Sequence, residues 1–347
     1  MFDVAEQLQA KAHTVDIITY GEQAEGQPSV TRVSRSGNSL MRYVRMCKAI
    51  RAQVKPETII VATDVFSIGI PTRLALIGKK NQFVLRLGGE WAWEDVVTKG
   101  RYIGTLRNFW KQHAGIRMWL QRKNYQWITK RAKTIFVTSS FLGDILSQFV
   151  GVPKNKIHLA ENQSSFESHT HPFDSSKPLR LLYIGRFAPV KNVVFLTRIL
   201  LACEQAGLSF SATLIGDGPD LSSIRYLLRE SKRITVRPPV DREGVAQAFA
   251  EHDACLLPSL SDICPNIVLE ALASGLPCLI TSEHGLAKPV PGTVELNPED
   301  EQAWKDTLKE WIKNPSKVES MALQIKPQTK QSTPSLADQI ISFVQAK

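Results

Sequence analysis

Two acidic residues border or interrupt the apolar helix that we predict in PSLSDICPNIVLEALASG, residues 258–275. Pro265 or Asn266 predicts its first turn and Gly275 its end. Between them Glu270 is the single charge, in a run that is apolar on every face. A helix without a polar face is normally buried, and a buried carboxylate is unfavourable unless it is hydrogen-bonded. We therefore expect a partner for Glu270, either in the protein or in a ligand.

Two cations follow a predicted strand in LLYIGRFAPVKN, residues 181–192. The strand leads into a loop with Arg186 and Lys191, and a helix is predicted to begin near Asn192. Cations beside a helix N-terminus suit a phosphate or a diphosphate. The alternative is that both side chains are solvated surface cations.

Two glycines follow the next strand in IGDGP, residues 215–219. Gly216 and Gly218 would let the backbone approach a ligand closely, or they form only a tight turn. In an open parallel sheet, ligands bind beyond the carboxyl ends of the strands. Five of the candidate residues come just after predicted strands, so we expect them to lie together at the carboxyl edge of the sheet. They are Arg186, Lys191, Gly216, Asp262 and Glu270.

The strands that support this site fall into two series, each alternating with helical patterns. They are predicted at 14–20, 58–64, 82–87 and 134–139, and then at 179–186, 211–218, 234–240, 254–259 and 277–282. Such apolar strands indicate parallel sheets covered on both faces. A polar segment at 166–178 predicts the linker. We expect an acceptor-binding domain at 1–168, a donor-binding domain at 179–330, and a final helix within 331–347, capped by Thr333, that packs back on the first domain.

The beginning of the chain departs from a doubly wound domain, which should open with a strand and a Gly-rich turn. Here a helix at 3–11 comes first, followed by the strand at 14–20. The sequence therefore predicts that the first strand and Gly-rich loop are missing and that the working protein is longer. On this expectation the 347-residue chain is poorly stable and weakly active or inactive.

Composition and charge narrow the class of protein. The chain is 43 % hydrophobic and 22 % charged, as in globular proteins. It has no apolar run near the roughly 18 residues of a membrane span, and its N-terminus does not resemble a secretory signal. Five scattered cysteines without a CxxC pair predict reduced core thiols, no metal site and a cytoplasmic location. The net charge of the chain is +10, and residues 1–170 alone carry +11. This basic first half favours binding to an anionic surface or substrate.

GRFAPVKN, IGDGP and PSLSDICPNIVLEALASGLPC resemble the donor-binding half of retaining GT-B glycosyltransferases of family 4, glycosyl transferases group 1. The resemblance covers residues 179–285. It implies two Rossmann-like domains facing across a cleft, a nucleotide-diphosphate sugar as donor, and no essential metal or cofactor. Arg186 and Lys191 would hold the diphosphate and stabilise its negative charge as it leaves, Glu270 would bind the ribose hydroxyls, and Asp262 would contact the transferred sugar.

The resemblance also implies the remaining donor-binding positions. These are Gly185 and Gly216 beside the phosphates, and the loop residues Ile263, Cys264, Pro265 and Asn266, whose backbone amides would face the sugar and phosphates. The family usually has Glu, Gly and an aromatic residue where this chain has Asp262, Ile263 and Cys264. Because β-branched Ile resists the positive φ that Gly permits, the sugar-facing loop is expected to differ. For Glu270 a salt bridge to an arginine remains the alternative, and for Asp262 a helix cap does.

The first domain resembles the family less closely, in AKAHTVDIIT, LRLGGEWAWEDVV, VTSSFLGDIL and KIHLAENQ, where Glu161-Asn162-Gln163 replaces the usual Pro-Asn-Gly. Asp64 and Glu90 follow predicted strands and are candidates to position the acceptor hydroxyl. Each could equally be a strand-end cap.

Residues 101–133 contain nine basic residues, no acidic residue and six aromatic residues. Three interpretations are open: an interfacial helix on anionic lipid, which we prefer, a solvated face, or a nucleic-acid patch, which we least expect. The helical spacing of Ile103, Leu106, Trp110 and Ala114 predicts one apolar face, flanked by Arg107 and Lys111.

The sequence thus predicts a hexosyltransferase of cell-envelope polysaccharide synthesis that acts on a glycan or lipid-linked acceptor at the inner face of the membrane. The alternative from another class is a non-catalytic nucleotide-sugar-binding partner subunit or a truncated inactive homologue. A glycoside hydrolase also needs two carboxylates but has no use for a diphosphate clamp.

Overall fold

The structure is a computed structural model that describes residues 2–22, 30–112, 115–161, 173–174, 176–325 and 334–345. Most of the linker predicted at 166–178 lies outside these residues, as do Ala114, Asn162, Gln163 and Thr333.

The first domain contains six described strands in two sheets, and all their pairings are parallel. A two-stranded sheet pairs β1 with β2, and a four-stranded sheet has the order β3-β4-β5-β6. The strands are β1 Ile17–Tyr20, β2 Val30–Val33, β3 Ile60–Ala62, β4 Phe83–Leu87, β5 Thr134–Val137 and β6 Ile157–Leu159. In the described residues β1 and β3 thus belong to different sheets, and the expectation of an incomplete start stays a prediction.

Helices cover both faces of the four-stranded sheet. They are α1 Phe2–Ala10, α2 Ser39–Gln53, α3 Ile70–Ala75, α4 Trp91–Thr98, α5 Leu106–Gln112, α6 Ile116–Arg131 and α7 Ser140–Ile145, with π-helical turns at Val65–Gly69 and Leu146–Val150 and a 3₁₀ turn at Lys154–Lys156. Alternate residues of a strand point to opposite faces. Accordingly Phe83 and Leu85 join the core under α4 to α7, whereas Val84 packs with Val4 of α1 on the other side.

The second domain has one parallel sheet of six strands in the order β12-β11-β10-β7-β8-β9. The strands are β7 Leu179–Ile184, β8 Phe210–Ile215, β9 Ile234–Arg237, β10 Ala254–Leu257, β11 Cys278–Thr281 and β12 Thr293–Leu296. The helices are α8 Val193–Gln205, α9 Leu221–Leu227, α10 Arg242–Glu251, α11 Asn266–Ala273, α12 Glu301–Lys313 and α13 Pro315–Ala322, with a 3₁₀ turn at Pro189–Lys191. Helices α8 and α12 pack on one face of the sheet, and α10 and α11 on the other.

The last helix, α14, spans Leu336–Gln345 and packs on the first domain. Its Ile340 is buried in the same apolar cluster as Val84 and Phe136 of the central strands. The chain therefore returns from the second domain to the first at its end.

All nine strands predicted from the sequence are present, as are the first helix and the helix after Asn192. Strands β2, β6 and β12 had not been predicted as strands. Each is short and at most half-buried along most of its length, so it lacks the long apolar run that marks an interior strand.

No helix among the described residues is both long enough and apolar enough to cross a bilayer. Of the five cysteines, Cys203, Cys255 and Cys278 are buried, whereas Cys47 and Cys264 are only half-buried, so the prediction of core thiols is right for three of them. The described residues contain no group of three or more His, Cys, Asp or Glu side chains that could hold a metal ion.

Candidate active site between the two domains

The loop after β7 carries the two predicted cations to the edge of the sheet. Arg186 is exposed, and Lys191 ends the 3₁₀ turn. Asn192 follows in the left-handed conformation, with φ 54°, and α8 begins at the next residue. Because Asn tolerates this conformation better than most residues, the chain can turn sharply and leave Lys191 at the helix start.

The glycines of IGDGP have a role that the sequence did not suggest. Gly216 has φ 157°, and a Cβ on it would lie 1.9 Å from the Gly185 carbonyl oxygen. For Gly218, with φ 150°, a Cβ would lie 2.3 Å from the Phe187 carbonyl oxygen. Both glycines therefore let this turn pack directly against the backbone of the Arg186 loop, so they fix the position of that loop.

Asp262 forms an ion pair with Lys191, with Oδ2 and Nζ 2.5 Å apart. The aspartate is buried, and its backbone is held from both sides: its N–H donates to the Glu283 carbonyl at 2.8 Å, and the Gly285 N–H donates to its carbonyl at 3.0 Å. The Asp262 side chain thus joins the two predicted halves of the donor site. It does not cap α11, whose cap residue is Pro265.

The loop Ile263–Asn266 contains the positions at which the sequence departs from the family pattern. Among described non-glycine residues, positive φ occurs only at Ala12 and Asn192, so Ile263 keeps ordinary backbone geometry. Its side chain is 6 % exposed and belongs to the apolar cluster of the first domain. Ile263 therefore anchors the loop across the domain boundary.

Helix α11 is less deeply buried than its sequence predicts. Val268 and Leu272 are in the core, but Asn266 is exposed and Glu270 is half-buried on the outer side. Burial raises the pKa of Glu270, and the positive charge of Arg242 on α10 acts against this shift. Glu270 does not line the cavity described below, so any shared ligand must extend from one to the other.

On the first domain, Glu90 caps α4. Its carboxylate accepts hydrogen bonds from the backbone N–H groups of Ala92 at 3.2 Å and Trp93 at 2.7 Å, and from the Tyr125 hydroxyl at 2.5 Å. The residue is 1 % exposed, and burial raises its pKa to about 7, although these hydrogen bonds lower it. Of the two interpretations of Glu90, the structure shows the cap.

Asp64 likewise caps the π-helical turn at Val65–Gly69. It accepts from the backbone N–H groups of Ser67 at 2.5 Å and Ile68 at 3.2 Å, and from the Ser67 hydroxyl at 2.5 Å. Both acceptor-side candidates are thus engaged in local caps.

Glu94 is the acidic residue of the first domain that does reach the site, and sequence reasoning missed it. It lies one helical turn after Glu90, within WAWED, in a segment that we had used only for its resemblance to the family. The one available signal was this i, i+4 spacing of two carboxylates. Burial raises the pKa of Glu94, whereas the positive charges of Arg186 and Lys191 lower it.

These groups surround one cavity of about 160 Å³ between the domains. It is lined by Gly88, Trp93, Glu94, Arg186, Val190, Lys191, Ser261, Asp262, Ile263 and Cys264. Two cations and two carboxylates therefore face one another across the cleft. An anionic group that entered could take the place of a carboxylate beside Lys191 or Arg186.

Direct contacts hold the two walls of this cavity together. The Leu106 N–H donates to the Ser261 hydroxyl at 2.8 Å, and Ser261 adjoins Asp262. Val190 and Leu260 of the second domain are buried in the apolar cluster of the first. The loops that carry Lys191 and Asp262 are thus packed against the first domain.

An aromatic platform lies at the start of α4. Trp91 is 50 % exposed, and its ring centroid is 4.9 Å from that of Phe66. Phe66 in turn meets the buried Tyr125 edge-on at 5.3 Å. Trp91 is thus an exposed aromatic side chain in the first turn of the helix that also carries Glu94.

The basic aromatic segment is folded differently from its prediction. Leu106 and Trp110 of α5 are fully buried, Ile103 precedes the helix and is exposed, and Ala114 lies outside the described residues. Arg107 reaches Glu283 of the second domain, with Nε 3.4 Å from Oε1. The predicted lipid-facing side of 101–114 was therefore wrong, since Leu106 and Trp110 fill the core.

The Glu90–Tyr125 pair predicts a pH dependence of stability. Because the pKa of folded Glu90 is about 7 and the ordinary value is 4.5, the folded protein retains a proton that the unfolded chain releases. The free energy of unfolding should therefore fall as pH rises from about 4.5 to 7 and change little above that on account of this group. Urea unfolding from pH 4.5 to 8.5 measures it.

Single substitutions test whether Glu90 is the group that causes this pH dependence of stability. Glu90→Gln should lack this part of the pH dependence, whereas Glu310→Gln, at an exposed position of α12, should retain it. Tyr125→Phe removes a hydrogen bond that lowers the Glu90 pKa, so the decline should extend above pH 7. An identical pH profile for wild type and Glu90→Gln would contradict the assignment.

Known proteins that are similar to this chain include glycosyltransferases. Residues 178–314 match the family model described as Glycosyl transferases group 1. A stretch of 100 residues is 32 % identical to "Putative glycosyltransferase EpsF" of Bacillus subtilis, covering 28 % of this chain and 26 % of that protein. The chain spans well under two thirds of the length of the curated relatives it matches.

Solved structures show the fold. WaaG, a glycosyltransferase involved in lipopolysaccharide biosynthesis, superposes with a TM-score of 0.67 at 13 % identity, covering 100 % of this chain and 95 % of that one. Sucrose-phosphate synthase from Thermosynechococcus elongatus gives a TM-score of 0.70 at 17 % identity, covering 92 % and 85 %. The chain therefore has the two-domain GT-B fold, as its sequence predicted.

Proposed function

We propose that this protein is a retaining glycosyltransferase that moves a sugar from a nucleotide-diphosphate sugar to a hydroxyl of a glycan or lipid-linked acceptor. The observation that carries the proposal is the cavity between the domains, where Arg186, Lys191 and Asp262 of the second domain face Glu94 of the first. The family-model match at 178–314 covers the same donor-side loops.

The donor diphosphate is proposed to bind between Arg186 and Lys191. A diphosphate oxygen would replace the Asp262 carboxylate beside the Lys191 ammonium, because charge-assisted hydrogen bonds to phosphate are strong. The freed carboxylate can then accept hydrogen bonds from hydroxyls of the sugar. Gly185 and Gly216 keep the Arg186 loop beside the phosphates.

The nucleoside end is proposed to reach Glu270, whose half-exposed carboxylate can accept hydrogen bonds from the ribose hydroxyls. Backbone amides of the loop Ile263, Cys264, Pro265 and Asn266 would face the sugar and phosphates, apart from Pro265, which has no N–H. Cys264 lines the cavity directly.

The acceptor is proposed to enter from the first domain, where Glu94 would orient the attacking hydroxyl and Trp91 would contact the rest of the acceptor. The acceptor oxygen attacks the anomeric carbon on the face from which the diphosphate departs. The bond from that carbon to the phosphate oxygen breaks, the bond to the acceptor oxygen forms, and the proton passes to the departing diphosphate. Arg186 and Lys191 stabilise the charge that accumulates there. Asp64 and Glu90 act through the elements that they cap.

No cofactor or nucleic-acid partner enters this scheme. The protein is proposed to act in the cytoplasm at the inner face of the membrane, in cell-envelope polysaccharide synthesis. This location would give it access to a lipid-linked acceptor. The basic segment 101–133 supports an association with anionic membranes through the part that is exposed, which is mainly α6.

Saturation-transfer NMR against a panel of UDP-, GDP- and ADP-sugars tests the donor, followed by assays of donor hydrolysis and sugar transfer. Binding and slow hydrolysis of one donor are expected. Binding without any hydrolysis or transfer would favour the non-catalytic partner subunit, and failure to bind any nucleotide sugar would overturn the proposal.

The role of Glu270 gives a specific prediction. If its carboxylate binds the ribose, the wild type should prefer UDP over 2′-deoxy-UDP, or the corresponding pair for whichever base it binds. Glu270→Ala should lower affinity for the ribonucleotide by about 10-fold or more and leave the deoxynucleotide nearly unchanged. Glu310→Ala is the matched control. If Glu270→Ala lost affinity equally for both nucleotides, Glu270 would not contact the ribose. Calorimetric titration measures the affinity of each variant for each nucleotide.

A further inference from the structure

One outer face of the first domain, formed by α2, α3 and α6, is continuous; we call it the three-helix face. Arg51 of α2 donates to the carbonyls of Ala75 and Ile77, each at 3.3 Å, and so bridges to the end of α3. Arg73 of α3 lies over the Trp127 ring of α6, 4.1 Å from its centroid. These contacts place the three helices side by side.

The three-helix face has one sign of charge. The helices α2, α3 and α6 contain ten Lys and Arg residues and no Asp or Glu. The neighbouring carboxylates in sequence, Glu57 and Asp64, lie in loops beyond the helix ends. Helix α12 of the second domain, by contrast, has three acidic and three basic residues. The charge asymmetry thus belongs to this face and is not a general property of the surface.

The same face carries exposed apolar side chains. Of the fifteen large hydrophobic residues exposed in the described part of the chain, nine lie on these helices or on the turn after α3. They are Leu40, Met41, Val44, Leu74, Ile77, Ile116, Trp119, Leu120 and Trp127. Four of them, at 116, 119, 120 and 127, recur at helical spacing along one side of α6, so they present a stripe to the outside.

We propose that the three-helix face docks on an anionic lipid bilayer. Apolar and aromatic side chains surrounded by Lys and Arg match the boundary between lipid phosphates and acyl chains, where rings insert and cations meet anionic headgroups. Helix α6 alone is about 24 Å long, so the face is broad enough to lie flat on a membrane. A nucleic acid would use the cations but would leave most of the exposed aliphatic residues without a partner.

This inference deepens the proposed function, because a docked first domain would meet a lipid-linked acceptor, but binding to vesicles can be measured without any transfer reaction. It also differs from the sequence-based expectation in its residues. Helices α2 and α3 had not been implicated, and α5 is excluded because its apolar residues are buried.

The test is sedimentation of the full chain with vesicles of phosphatidylcholine and phosphatidylglycerol in equal parts, compared with pure phosphatidylcholine. The triple variant Lys48→Glu, Lys123→Glu, Lys130→Glu reverses three exposed charges of the face. Lys232→Glu, Lys309→Glu, Lys313→Glu makes the same change in net charge on the second domain. Wild type and this control should pellet with anionic vesicles at 50 mM salt and be released by 500 mM.

The face variant should lose at least about 100-fold in partitioning, since each cation near the surface contributes roughly fivefold. Trp119→Ser with Ile116→Ser, which leaves the net charge unchanged, should also weaken binding to the anionic vesicles at 50 mM salt, because it removes apolar side chains that insert at the membrane surface. Equal losses in the control triple variant, unchanged binding of the face variant, or tighter binding to a 20-base-pair DNA duplex than to vesicles would each overturn the proposal. Donor hydrolysis in solution should be the same in both triple variants and the wild type. Absence of hydrolysis in all three proteins would contradict the proposed transferase activity, and it would leave the result of the vesicle experiment unaffected.

Discussion

Lys191→Ala is expected to weaken binding of a nucleoside diphosphate by about 10- to 100-fold, because it removes a hydrogen bond between charged groups. Binding of the corresponding nucleoside should change little, since Lys191 lies beside the proposed phosphate position and Glu270 is on another helix. Titration calorimetry with the diphosphate and the nucleoside measures both. Equal losses for the two ligands would show that Lys191 does not contact the diphosphate.

A second variant separates ligand binding from stability. Lys191 is the ion-pair partner of Asp262, which is 8 % exposed. Lys191→Ala alone therefore leaves a buried aspartate without this cation, and the protein should become less stable. Adding Asp262→Asn should recover part of that stability, but it should not recover affinity for the diphosphate.

The control for Lys191 is Lys309→Ala, a lysine of the same domain on α12. It should alter neither diphosphate affinity nor stability appreciably. If the double variant bound the diphosphate as tightly as the wild type, the Lys191–Asp262 pair would be a structural ion pair and Arg186 would be the main phosphate contact.

Gly216→Ala should be among the most damaging single changes in the second domain. Its Cβ would lie 1.9 Å from the Gly185 carbonyl oxygen, and Phe187 closes the space at 3.0 Å. Because the obstacle is backbone, the two loops must separate. We expect a loss of about 3 kcal/mol or more, which lowers the melting temperature by roughly 6–12 °C for a domain of this size.

The same displacement should move Arg186, which directly follows Gly185, so diphosphate affinity should fall as well. Gly207→Ala is the matched control: φ is 75°, but no atom lies within 4 Å of the added Cβ. Only backbone strain remains there, about 1 kcal/mol, with no effect on the ligand. Calorimetric melting and titration of each variant decide this, and equal melting temperatures for the two variants would contradict the clash.

The sequence by itself determined the local structure of the second domain. Strands β7, β8, β10 and β11 are mainly apolar and buried, and each is followed by residues that favour a turn. This placed Arg186, Lys191 and Asp262 after strands, and the parallel sheet then brought them to one edge. The conformation of Ile263 was also predictable, because β-branching restricts its own backbone.

The tertiary structure decided which groups face each other across the domains. Glu90 and Glu94 are one helical turn apart in the same short motif, yet Glu90 is enclosed as a cap and Glu94 opens into the cavity. That outcome depends on Tyr125 of α6 and on the loops of the second domain, which are distant in sequence. Local pattern cannot distinguish the two carboxylates.

In the basic segment 101–133, too, the sequence indicated part of the outcome and the packing decided the rest. Its composition indicated an unusual surface, but the apolar residues of α5 and those of α6 have opposite fates: Trp110 is buried against Tyr125, and Trp119 is exposed. Helical spacing tells which residues share a face, and it does not tell whether that face meets the core. Only the packing of α2, α3 and α6 on the sheet settles which side chains remain on the outside.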